Sequence, residues 1–260
     1  MATAVNFSTI VAAQVAYVNH DAVLNPGSGD FTWVFHGRWA SGATLVNYGY
    51  VFEKATSYYL KPSFECWQRN FTIPTRTALE VRLRDAASGE IASNGSDAAD
   101  IRDDLWHQWA VTYDASEGDI AILRDGAGYD SVNGSPIGEV SPVTNSPLSI
   151  GGRWMGTYSN NGSDSKICHF WCVARIVGAA ELALYRNILA APSDAVLWLP
   201  MSEGTGTTCN DKRPPANNAG FAAGNASPTW DTSAGHSLFY PGGGVIGAAV
   251  IGSPIVRKAA

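Results

Sequence analysis

The sequence predicts an all-β fold, with antiparallel sheets packed as a sandwich or closed as a barrel. Short runs of period-2 or continuously apolar residues recur along the chain, punctuated by Gly, Asn, Asp, Ser and Pro clusters. Only one stretch carries helical periodicity. Hydrophobic residues make up 45% of the 260 against 15% charged, with 27 Gly and nine Trp, which supplies a large core and many turns.

In chain order, strands are expected at "AVNFSTIV", "FTWVFHGRW", "TLVNYGYVFE", "YYLKPSFECWQ", "ALEVRLRD", "HQWAVTYD", "IAILRDG", "LSIGGRW" and "KICHFWCVARIV". The separators include "NPGSGD", "SGEIASNGSD", "ASEG" and "VNGSPIG", whose Gly and Asn tolerate the positive φ of tight turns. "GAAELALYRNILAAP" is the helix: Ala180, Leu184 and Ile188 recur at helical spacing beside Leu182 and Tyr185, and Pro192 stops it. It is expected to cap one end of the sandwich. After Ser193 one strong strand, "AVLWLPM", precedes a Gly/Asn/Pro-rich excursion, Trp230 and a Gly/Ala-rich tail.

The segment "DDLWHQWAVTYDASEGDIAILRDG", residues 103–126, reads as a hairpin. Trp106, Gln108, Ala110 and Thr112 share one face; His107, Trp109, Val111 and Tyr113 share the other, which should line the core. Asp125-Gly126 makes the next tight turn.

Cys66, Cys168, Cys172 and Cys209 are too few for a disulfide scaffold. On a strand, Cys168 and Cys172 stand roughly 13 Å apart, and a disulfide needs Cα atoms within about 7 Å. They are expected as small buried hydrophobes on the face of Phe170, with His169 on the opposite face, against a metal reading.

The net charge is −6 and no basic cluster exceeds pairs such as Lys212-Arg213 and Arg257-Lys258, so nucleic-acid binding is not expected. "MATAVNFSTIV" lacks the pattern of a signal peptide. No apolar run of about 18 residues is present, so no membrane insertion is expected.

"LWHQWAVTYD…GDIAILRDG", then "SPLSIGGRW" and "AAELALYRN", with "NPGSGDFTWVFHGRW" upstream, resembles the laminin-G-like, or concanavalin-A-like, jelly roll over residues 25–187. The resemblance implies an antiparallel jelly-roll β-sandwich. "AVLWLPMSEGTGTTCNDKRPPANNAGFAAGNASPTW" is similar to the same family's opening segment, placed here after the jelly roll. Residues 1–234 are therefore expected as one sandwich, with 194–231 closing the sheet. Residues 235–260 are expected as an extended arm whose Val245, Ile246, Val250, Ile251, Ile255 and Val256 dock on a neighbouring subunit.

Some relatives of this fold are glycosidases, and retaining ones need two carboxylates about 5 Å apart. The nearest approach to their Glu-x-Asp-x-x-Glu strand is Glu117-Gly-Asp119, in a turn, with Ile122 in the last carboxylate's place. His107 has no Gly-x-Ser-x-Gly nucleophile beside it and reads as a hydrogen-bonded structural histidine. No catalytic residue and no cofactor is expected. The family also binds calcium, which takes several oxygen ligands; the metal candidates are Asp100, Asp103 and Asp104, with Asn160, Asn161 and Asp164 as a second group. Either group is ordinarily solvated turn. For sugar binding the aromatic candidates are Trp39, Tyr58, Trp67, Trp154 and Tyr158.

The expected function is that of a non-enzymatic virion structural protein, a phage capsid decoration or tail component assembled in the host cytoplasm. Its partners would be other virion subunits or further copies of itself. The alternative is a lectin-like, extracellular module that binds host or environmental polysaccharide.

Overall fold

The computed structural model describes residues 4–7, 15–42, 48–55, 63–72, 75–87, 89–92, 98–140, 146–154, 159–160, 163–186, 190–214, 216–221 and 229–231. Its strands are β1 (Ala4–Phe7), β2 (Ala16–Val18), β3 (Phe31–Arg38), β4 (Gly49–Ala55), β5 (Ser63–Thr72), β6 (Thr75–Arg84), β7 (Glu90–Ala92), β8 (His107–Asp114) and β9 (Asp119–Arg124). They continue as β10 (Ala127–Val132), β11 (Leu148–Ile150), β12 (Arg153–Trp154), β13 (Ser159–Asn160), β14 (Ser165–Val173), β15 (Leu197–Leu199), β16 (Thr208–Cys209), β17 (Ala219–Phe221) and β18 (Thr229–Asp231). The helix α1 spans Ala179–Tyr185. No helix among the described residues is long and apolar enough to cross a membrane.

Two sheets form a jelly-roll-type sandwich. The first runs β10-β9-β8-β3-β14-β1-β18, with β15 also on β14; the second runs β16-β17-β2-β11-β4-β5-β6-β7. Segments after Ser193 enter both: β15 and β18 join the first, β16 and β17 the second. Strand β14 is shared along its length, its first half pairing with β1 and its second with β15. Between them lies a bulge at His169, which holds φ at 53° and donates its backbone N–H to the Pro200 carbonyl at 3.1 Å.

The main core lies between the sheets and takes Phe31, Trp33 and Phe35 of β3, Phe52 of β4, Phe64 and Cys66 of β5, and Trp109, Val111 and Tyr113 of β8. Cys168, Phe170 and Cys172 share that core, and all four cysteines are free and buried. Two glycines serve this packing. Gly151 sits at φ 81° with the Phe7 ring against its Cα, so a Cβ there would meet Phe7 Cδ1 at 2.0 Å. Gly118 closes the β8–β9 turn at φ 79°, where a Cβ would meet the Ser135 backbone at 2.3 Å.

The first sheet is buried on its other side too. Val34, Ala110, Trp171, Val173 and Val177 pack with Leu182 of α1, and Gln108 Nε2 donates to the Leu182 carbonyl at 3.2 Å. This corrects the expected helix stripe: Leu182 faces inward while Leu184 is 66% exposed. Ile188 lies outside the described residues. A seven-residue helix has room for about two turns, and one buried anchor suffices to seat it.

Candidate functional site

Strands β5 and β6 form a long hairpin whose residues alternate strictly. Phe64 and Cys66 of β5 and Leu79, Val81 and Leu83 of β6 enter the main core. The intervening positions therefore point away from it. Directly opposed pairs on that outer face are Glu65 with Arg82, Trp67 with Glu80, Arg69 with Ala78, and Phe71 with Arg76. Strand β4 extends the rows, setting Glu53 opposite Glu65 and Tyr50 opposite Trp67.

The half of this face nearest β4 is buried and ion-paired. Arg153 lies over the Tyr50 ring, 4.1 Å from its centroid. Its Nη2 is 2.6 Å from Glu53 Oε2 and 3.7 Å from Glu65 Oε1. Arg84 reaches Glu65 at 3.4 Å and Glu90 at 2.7 Å. Burial pushes the Glu53 carboxyl up to about 7, although Arg153 works against the shift. The arginines hold the two glutamates as acceptors and spread the cost of burying them.

The half towards the β5–β6 turn is more open and richer in cations. Arg69, 42% exposed at its side chain, donates to Glu80 Oε1 at 3.1 Å. Its guanidinium carbon stands 5.2 Å from the Phe71 ring centroid, and that of Arg76 stands 4.7 Å from the same centroid. Arg82 stacks at 4.7 Å on Trp67, whose indole N–H meets no acceptor among the described residues. Burial pushes the Glu80 carboxyl up to about 7, against the pull of Arg69 and Arg82. Two aromatic rings and three guanidinium groups thus alternate along one strip of two strands.

Two of the aromatic sugar candidates are corrected. Trp39 is 1% exposed; its Nε1 donates to Gln68 Oε1 at 2.9 Å and to the Ser163 carbonyl at 3.2 Å, so it is a core pivot. Trp67 is 2% exposed and its ring is covered by Arg82, so it is the floor of the strip and no open platform. Trp154 is placed in β12 by its backbone, and Tyr58 and Tyr158 lie outside the described residues.

The proposed calcium cluster is also corrected. Asp100 is forked onto Arg102 at 2.7 and 3.0 Å, Asp104 faces Arg38 at 3.6 Å, and Asp103 is held by both His107 and Arg124. Carboxylates already facing cations make a poor cation site, and no group of three ligands that could hold a metal occurs among the described residues. In the second group Asp164 holds φ at 47° and Asn161 lies outside the described residues.

His107 has no exposed lone pair to offer. Its Nδ1 lies 2.6 Å from Asp125 Oδ2 and its Nε2 2.8 Å from Asp103 Oδ2, and its ring meets Trp109 edge-on. It ties the start of β8 to the Asp125-Gly126 turn. Glu117 is exposed in the β8–β9 turn and Ile122 is in the core. The arm residues Val245, Ile246, Val250, Ile251, Ile255 and Val256 lie outside the described residues.

Of the arginine–aromatic strip, Trp67 alone was among the sequence candidates. The strip's signal is the alternation in "ECWQRNF" and "RTALEVRLR", where every second residue except Ala78 is charged or aromatic.

No family model matches the chain, and no curated protein matches it. Solved structures share the fold. A candidate carbohydrate-binding protein from Bacteroides ovatus superposes with a TM-score of 0.63 at 13% identity, over 89% of this chain and 60% of that one. Tailspike protein 2 of a bacteriophage of Escherichia coli O157:H7 gives 0.52 at 9% identity, over 75% of this chain and 26% of the tailspike. A heptameric SAP-like pentraxin from Limulus polyphemus gives 0.50 at 13% identity, over 70% of this chain and 80% of that one. The chain thus spans less than two thirds of the first and a quarter of the tailspike.

Proposed function

We propose that the chain is a carbohydrate-binding module that holds polysaccharide on the outer face of β5 and β6 without cleaving it. The observation that carries this is the strip itself: Phe71 between Arg69 and Arg76, continuing to Arg82 on Trp67. Sugar rings have an apolar C–H face that stacks on an aromatic ring and hydroxyls that accept from guanidinium donors. The likeness to a protein described as carbohydrate-binding supports the reading at the level of fold. Glu53 and Glu65 face each other across two strands, yet both are held by arginines, which supports binding over hydrolysis. The test is retention on immobilised polysaccharides. Phe71→Ala is expected to lose retention while keeping its melting temperature; undiminished retention overturns the site.

A second reading places this module on a virion surface, where assembly partners and host polysaccharide meet. The fold shared with part of a phage tailspike supports it. Detection of the chain in purified particles is its test.

A further inference from the structure

The side of the first sheet turned away from the main core has a polar floor. His36 of β3, Gln108 of β8, and His169 and Trp171 of β14 are all buried there. Trp198 of β15 lies beside them, its ring centroid 6.3 Å from that of His169. His36 stands directly opposite Gln108, and Trp171 opposite Trp198. Five buried polar atoms of this floor meet no hydrogen-bond partner among the described residues: His36 Nε2, His169 Nδ1, Gln108 Oε1, Trp171 Nε1 and Trp198 Nε1. Buried polar groups are ordinarily paired, and water would satisfy all five. Covering this floor is therefore opposed by desolvation, unlike closing the apolar core between the sheets.

The cover is short. Leu182 is the one buried residue of α1 and packs with Val34, Ala110 and Trp171, while the Tyr185 ring meets Trp171 at 5.7 Å. The start of the helix is fixed firmly: the Val177 N–H donates to Thr32 Oγ1 at 3.1 Å, and Arg175 forks onto Glu181 at 2.6 and 2.8 Å. Beyond its end, Arg186 faces His36, and His169 Nε2 donates to the Ala190 carbonyl at 2.8 Å. A carbonyl only accepts, so Nε2 carries the ring proton and Nδ1 the lone pair. A second proton on Nδ1 would point at no acceptor and place a charge 5.0 Å from the His36 ring, with Arg186 adding another. Asp125, the carboxylate facing His36, is engaged by His107 Nδ1 at 2.6 Å, the Gln108 N–H at 3.0 Å and Arg186 at 3.5 Å. Glu181 of α1 and Asp194 are held by Arg175. Once water reaches the floor, both rings are free to take protons as ordinary histidines do.

We propose that α1 is an acid-released cover: it lies closed on the first sheet near neutral pH and lifts from its C-terminal end as His36 and His169 take up protons, uncovering Val34, Ala110 and Trp171. Acid thus turns a closed face of the sandwich into an apolar surface, on the sheet opposite the arginine–aromatic strip.

The experiment is hydrogen exchange of the full chain, read by mass spectrometry at pH 7 and pH 5 and corrected for the intrinsic pH dependence of amide exchange. Peptides covering α1 are expected to lose about tenfold or more in protection between the two, since one buried histidine that titrates normally once uncovered supplies about twentyfold. Peptides from β3 and β8 should hold their protection within about twofold, because local opening leaves the core closed. His169→Asn, which tolerates the left-handed backbone there, and His36→Gln should each cut the pH response of α1 by about fivefold or more.

Equal protection of α1 at pH 7 and pH 5 overturns the proposal. A loss shared in step by β3 and β8 overturns it too, because that is global unfolding and no lifting cover. A pH response that survives intact in both histidine variants assigns the effect to other acid groups, such as Glu181 and Asp194, and overturns the role of the histidine pair.

Discussion

His169 meets His36 edge-on, ring centroids 5.0 Å apart, on the side of the first sheet turned away from the main core. Burial keeps both imidazoles neutral: it drives His36 well below the usual histidine range, helped by His169, and lowers His169 to about 4. Asp125 and Arg186 face His36, and the Ala190 carbonyl lies 2.8 Å from His169 Nε2.

An acid-labile term in stability follows from this pair. The folded pKa of His169 is depressed, so on acidification the unfolded chain takes up the proton first. The stabilising difference is present above about pH 6.5 and is lost as the pH falls towards 4. Glu53 and Glu80 act oppositely: both are raised from 4.5 to about 7, so they favour the folded state as pH falls through that window. The histidine term therefore appears as a difference between proteins. Between pH 7 and pH 5 the wild type should lose about 2 kcal/mol more than His169→Asn, at about 1.4 kcal/mol per unit. Asn tolerates the left-handed backbone there. Parallel denaturation midpoints for the two proteins across that range count against the buried-histidine account.

Trp109 is fully buried, edge-on to both Trp39 and Tyr129. Trp109→Ala should cost about 3–5 kcal/mol, the usual range for truncating a buried aromatic. Thermal unfolding checks it, and an unchanged midpoint means the strand face is assigned wrongly.

Gly151→Ala should destabilise by about 1–3 kcal/mol, the cost of overpacking, because its new methyl would enter the Phe7 ring. The companion change Phe7→Leu should recover part of the loss. Additive losses in the double variant would sink the explanation.

Deleting Val245–Ala260 should leave the melting temperature nearly unchanged while weakening incorporation into oligomers or particles, as expected of a docking arm. Assembly of the truncated chain with full affinity removes the arm, and an unfolded truncated chain makes the tail part of the sandwich.

The purified chain should hydrolyse no glucan. Reducing-end assays on the polysaccharides it binds are the check. Measurable turnover abolished by Glu65→Gln or Glu117→Gln would establish the opposite.

Strands with strong alternation were legible in the sequence. "HQWAVTYD", "FTWVFHGR" and "ALEVRLR" all bury one face in the main core, and the hydrophobic period alone places them. The short strands β2, β7 and β16 to β18 carry two or three residues each, too few for a period to show. Strand β10, "AGYDSV", is a largely open edge whose Tyr129 and Val132 reach the core across a register shift, so no simple period marks it. The helix stripe was misplaced because Leu182 and Leu184 are both apolar, and only packing against Trp171 and Ala110 decides between them.

The site was less legible than the fold. Composition marks tryptophans as sugar platforms without saying which are buried, and Trp39 and Trp67 turn out to be inside. Asp100, Asp103 and Asp104 look like oxygen ligands until Arg102, Arg124 and Arg38 arrive, two of them from other strands. The arginine strip needs the β5–β6 register, which brings Phe71 opposite Arg76 across the hairpin.

Strands β1 and β18 pair antiparallel, with Ala4 directly across from Asp231. The chain therefore enters and leaves the described fold at neighbouring points on one sheet edge. A load pulling those two points apart meets the β1–β18 ladder from its open end and parts its hydrogen bonds one after another. Had the two points lain at opposite ends of the ladder, the bonds would bear the force together in shear. Tension through the ends of the sandwich thus unzips its last strand first, leaving the hairpin that carries Arg69, Phe71 and Arg76, in the other sheet, outside the path of the force.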